Sequence, residues 1–127
     1  MRFCLVLINS QSTSMNNASL IQDIEFHESK LVVTVLFETS FTKETRIAMK
    51  AGTGMKKHQT SFPIVVEIVE SNIIFGVQNE KMNLDKGDLI ALESFIPHDL
   101  KALKDSIIRL TLSKNDQSER EQTIASV

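Results

Sequence analysis

The chain reads as an all-β domain, a small antiparallel barrel or sandwich. Three observations carry that reading. Apolar runs rich in Val and Ile recur at short intervals, each bounded by Gly, Asn, Asp or Ser. No long stretch keeps the 3.6-residue apolar period of an amphipathic helix. At 127 residues the chain has room for one domain, which at this size removes roughly two-thirds of its surface from water.

The elements follow in order. Residues 31–37 (LVVTVLF) are apolar on both faces, which suits a strand covered on both sides. Residues 45–49 (TRIAM) form a shorter strand closed by the Ala51-Gly52-Thr53-Gly54 turn. After Pro63, residues 64–69 (IVVEIV) and 73–77 (IIFGV) read as a hairpin around Glu70-Ser71-Asn72. Strand alternation predicts Ile64, Val66 and Ile68 on the inward face, with Val65 and Glu67 outward. Residues 81–84, 89–92, 99–102 and 106–112 complete the set, separated by tight turns such as Asp85-Lys86-Gly87-Asp88. Seven or eight strands of this kind predict a closed or two-layered sheet. Residues 15–113 are the expected domain. Residues 1–14 read as a loosely attached leader, and 114–127 as a polar C-terminal tail with almost no apolar anchor.

Composition narrows the function. The net charge is −2 and the basic residues are scattered, so no footprint for nucleic acid or an anionic membrane is expected. The one cysteine, Cys4, forms no intrachain disulfide and fits a reducing compartment. The apolar run at 3–8 is too short to span a membrane, so the cytoplasm is the expected location. There is no phosphate-cradling Gly-rich loop, Cys-x-x-Cys, HExxH or Gly-x-Ser-x-Gly pattern. The exposed apolar face that 31–37 would otherwise leave predicts a homodimer.

Two stretches carry a regular spacing. In the first, Gly52 is followed after five residues by His58, then Thr60, then after three residues Ile64, and after six Ser71. In the second, Gly87 is followed after five residues by Glu93, then Phe95, then after two residues His98, and after three Ala102. Together they resemble the two signature motifs of the cupin superfamily. That family reads Gly-x5-His-x-His-x3–4-Glu-x6-Gly and Gly-x5-Pro-x-Gly-x2-His-x3-Asn. The likeness covers about 31–112, and fifteen residues separate Ser71 from Gly87, the compact end of the inter-motif range.

The resemblance implies a double-stranded β-helix, or jelly roll, with inward ligands for a divalent transition metal such as Fe, Mn, Ni or Zn. Of the implied three His and one Glu, this chain keeps His58 and His98; Thr60 and Ile64 stand at the other two positions. Glu67, outward by alternation, is a poor substitute for the lost carboxylate. The implied pocket is lined by His58, Thr60, Ile64, Val66, Phe75, Phe95 and His98, with Met55, Lys56 and Lys57 at its rim. His27 lies in a polar stretch and reads as a surface residue. Two function classes follow. One is a binding module that takes a small molecule into the barrel, with a partial metal site at His58 and His98. The other is a metal-dependent enzyme of oxygenase or isomerase type that uses those two histidines and open coordination positions. Metal-free, the pair would be buried neutral imidazoles hydrogen-bonded to Thr60 or to backbone.

Overall fold

The computed structural model describes residues 15–114, so the leader at 1–14 and the tail from 115 lie outside the described residues. Nine strands form: β1 (Val32–Glu38), β2 (Thr42–Met49), β3 (Gly54–His58), β4 (Ile64–Glu70), β5 (Asn72–Val77), β6 (Glu80–Asp85), β7 (Leu89–Leu92), β8 (His98–Ala102) and β9 (Ser106–Ser113). No helix occurs among the described residues. The strands make two antiparallel sheets, a five-stranded one in the order β1-β2-β9-β4-β7 and a four-stranded one in the order β3-β8-β5-β6. This is the all-β jelly roll that the sequence predicts.

The core lies between the sheets. Ile64, Val66 and Ile68 of β4 are buried and face Ile73, Phe75, Leu84 and Leu100 of the opposite sheet, with Ile47, Met49 and Ile108 beside them. The outward members of β4 behave differently: Val65 is exposed and Glu67 reaches Arg109 on the neighbouring strand. Alternation on this strand therefore runs as its sequence predicts.

Three elements depart from expectation. Strand β2 starts at Thr42, because its polar residues find partners on the outer face. Glu44 accepts hydrogen bonds from Arg109 Nε (3.0 Å), Thr111 Oγ1 (2.7 Å) and Thr42 Oγ1 (3.2 Å). Strand β3 (GMKKH) carries no apolar run, since it is an edge strand whose lysines stay in water. Strand β1 is also an edge, so only one of its faces is well covered: Val33 and Val35 are 58% and 48% exposed. The expectation of cover on both sides is corrected accordingly.

The turns preserve the motif spacing in their dihedral angles. Gly52 and Gly87 have φ of 89° and 92°. Ser71 and Phe95, at the two positions where the family pattern has glycine, have φ of 77° and 64°. All four sit in the left-handed region that glycine adopts without steric cost.

Candidate functional site

Two strands of the smaller sheet bring the histidines together. His58 ends β3, His98 begins β8, and the two are paired across the ladder. Met55 pairs with Leu100, so two residues of β3 (Lys56 and Lys57) stand against one of β8 (Asp99) before the histidines meet. This bulge reverses the alternation at that point. Without it Lys57, not His58, would lie opposite His98.

The imidazoles lie 4.4 Å apart between centroids at 58°. Phe75 stacks nearly parallel to His98, with 5.6 Å between centroids and 6° between planes. His98 Nδ1 is 2.9 Å from the Ile96 carbonyl oxygen, and His58 Nδ1 is 3.3 Å from that of Lys56. A carbonyl only accepts, so each Nδ1 carries the proton and donates. In the neutral ring each Nε2 then keeps its lone pair, the arrangement an imidazole needs to accept a proton or bind a cation.

His98 is 4% exposed. Burial pushes its imidazole below the ordinary value of 6.5; the Ile96 carbonyl and the Asp99 charge oppose this, and His58 adds to it. The ring is therefore neutral at physiological pH.

Around the pair lies a small enclosed cavity of about 20 Å³. His58, Thr60, Ile64, Val66 and His98 line it, with Ile47 and Leu110 among the apolar walls. A single water needs about 10–15 Å³ measured in this way, so the closed barrel admits one water or one ion. Phe75 does not line the cavity but backs His98 from the core. Phe95 is 51% exposed and lies on the loop over the mouth, not in the interior. Its backbone N–H donates to the Thr60 carbonyl at 2.7 Å, tying that loop to the one after β3. Thr60 Oγ1 donates to the Phe62 carbonyl at 2.8 Å, so its hydroxyl is engaged locally. His27 is exposed and accepts a hydrogen bond from Ser29 N, on the arm before β1.

The donor set fits a divalent transition metal in part. Two imidazoles are present, but Ile64 is buried at the carboxylate position, and no group of three His, Cys, Asp or Glu side chains comes together among the described residues. The remaining walls of the cavity, Ile47 from β2, Leu100 from β8 and Ile108 and Leu110 from β9, were not among the residues expected to line it. Their signal was the inward alternation of those strands. No helix among the described residues is long and apolar enough to cross a membrane.

No protein-family model matches the chain, and no curated protein matches it. Solved structures do. An RmlC-like cupin protein from Desulfovibrio desulfuricans superposes with a TM-score of 0.72 at 18% identity, over 78% of this chain and 96% of that one. A conserved protein of unknown function from Streptococcus pyogenes gives 0.70 at 18% identity, over 83% and 98%. KdgF from Halomonas sp. gives 0.65 at 19% identity, over 77% and 90%. At such identities the likeness is one of fold.

Proposed function

The chain is a small cupin-fold domain, and from that premise we propose that it is a binding module that holds a small guest at the His58–His98 pair. The observation that carries this reading is the facing pair itself. Two imidazoles with Nδ1 on backbone carbonyls keep their Nε2 lone pairs uncommitted by those bonds, and both residues line an otherwise largely apolar cavity. Apolar walls with a few convergent polar groups are the usual make-up of a ligand pocket. The volume sets the size of the guest. In the closed barrel it is one water or one divalent transition-metal ion (Fe, Mn, Ni or Zn) held by His58 and His98. A small molecule enters only when the Phe95–Thr60 tie at the mouth opens.

An oxygenase or isomerase would need room for a substrate beside its metal, and drug-sized ligands occupy pockets of about 300–1,000 Å³. The cavity here, about 20 Å³, has no such room in the closed barrel, for a substrate or for a small-molecule ligand alike. Self-association belongs to the same reading: the exposed face of β1, with Val33 and Val35, supports a homodimer. Equilibrium dialysis of the tag-free protein against Zn²⁺ or Ni²⁺ tests the metal claim. We expect one weakly held ion per chain, lost in both His58→Ala and His98→Ala; uptake that survives both substitutions would overturn the site.

A further inference from the structure

The outer face of the five-stranded sheet carries a groove separate from the barrel interior, and strand register sets it out. Glu44, Thr111, Val65 and Ala91 pair directly across β2, β9, β4 and β7, so their side chains form one row over that face. Beyond Glu44 the row is made of short side chains, and Phe41 and Pro63 line the same depression. Its volume is about 590 Å³, within the range of pockets that hold drug-sized ligands and far above that of the cavity between the sheets. Phe41 is 66% exposed and Val65 39%, so the apolar surface of the groove is open to water. Glu44 closes the row on the β2 side and is 7% exposed. A carboxylate has about four acceptor positions. Arg109 Nε and Thr111 Oγ1 take two at Oε1 and Thr42 Oγ1 takes one at Oε2, which leaves one acceptor position on Oε2 among the described residues.

We propose that this groove binds a small organic cation, an aryl or alkyl body that ends in a protonated amine. Charge and shape select this class. Glu44 and Glu93 line the groove, and no lysine or arginine among the described residues does. Arg109 is shared between Glu44 and Glu67, so one guanidinium faces two carboxylates. Arg46, the next cation on this face, donates instead to the carbonyl oxygens of Ser19, Gln22 and Asp23. An ammonium brings donors and no acceptor, which matches the open position on Glu44 Oε2. An anionic ligand would meet Glu44 with like charge. The apolar body covers Val65 and Ala91 between Phe41 and Pro63, surface that is otherwise left in water. The site does not depend on the His58–His98 pair, which lies between the sheets.

Titration of phenethylamine into the full-length, isotope-labelled protein at neutral pH, followed by amide chemical shifts, tests this. We expect saturable shifts at Thr111, Val65 and Ala91, with a Kd on the order of 1 mM for a ligand of this size. Phenylpropionate, with the same ring and the opposite charge, should bind at least about tenfold more weakly. Glu44→Gln should weaken the amine about tenfold. Val65→Lys places a cation on the groove floor from an outward position, leaves the core intact, and should abolish the amine's shifts. His98→Ala should leave them unchanged. Equal affinity for amine and carboxylate would overturn the proposal. So would shifts that persist unaltered in Val65→Lys, or the absence of saturable shifts at the groove residues of the parent.

Discussion

At the residue scale, the spacing of the two motifs is written into backbone dihedrals more durably than into side chains. Positions 71 and 95 carry no glycine, yet Ser71 and Phe95 have the positive φ that glycine adopts freely. A left-handed non-glycine residue costs about 1–2 kcal/mol, and glycine loses about 0.5–1 kcal/mol through the freedom of the unfolded chain. Ser71→Gly and Phe95→Gly should therefore each stabilise the fold by about 0.5–1 kcal/mol in urea unfolding. Phe95 is half exposed, so little burial is lost with its ring. A destabilised Phe95→Gly would mean that the phenyl group holds the mouth loop in place. His98 gives a prediction in pH. Its folded value lies below the ordinary 6.5, so the unfolded chain binds more protons in the window between the two. Stability should fall as pH drops below about 6.5, with a shallower slope in His98→Gln. Identical slopes would show that His98 is not buried as described. His58 and His98 were singled out by the resemblance to the two motifs. The orientation of Nδ1 was not, because it depends on where the carbonyls of Lys56 and Ile96 turn.

Among the elements, legibility followed polarity. Strands β1, β4, β5 and β9 announce themselves by β-branched runs, and the inward set of β4 follows from alternation. Strand β3 does not, since a lysine-bearing edge looks like a loop, and its bulge leaves no mark in the sequence although it decides which residue faces His98. The first turns of β2 were hidden in a similar way. Thr42 and Glu44 are buried polar residues whose partners, Arg109 and Thr111, lie more than sixty positions away. Burial pushes the Glu44 carboxyl up, but the hydrogen bonds from Arg109 and Thr111, the guanidinium charge and Thr42 outweigh it and hold it below 4.5. The charged form is favoured in the fold, so this contribution is complete above 4.5 and fades as pH falls through the lowered value. Glu44→Gln should cost about 1–2 kcal/mol at neutral pH, because Arg109 is part-exposed and keeps Glu67. The variant should also lose less stability than the parent on acidification. Equal stability of the two at neutral pH would remove Glu44 from the account of why β2 begins at Thr42.

For the whole molecule, the cupin fold was readable because two spaced motifs and eight apolar runs agreed on it. What the barrel holds was not, because cavity size depends on side chains from β2 and β9 that the motifs do not mention. The exposed face of β1 bears on assembly: Val33→Lys with Val35→Lys should convert a sedimenting dimer to monomer, and a parent that is already monomeric at micromolar concentration would remove the homodimer. The central claim is that His58, His98, Thr60 and Ile64 face one cavity and that the first two make a partial site. Thr60→His with Ile64→Glu should rebuild a three-His, one-Glu site on strands that already fix its geometry. Without metal the new carboxylate sits in an apolar wall and lowers stability. With metal its binding energy adds to folding. The most direct measurement is Tm with and without Zn²⁺ for the parent and the double variant. The account predicts a small rise for the parent and a much larger one for the double variant, abolished by His98→Ala; a double variant whose Tm does not respond to Zn²⁺ would contradict it.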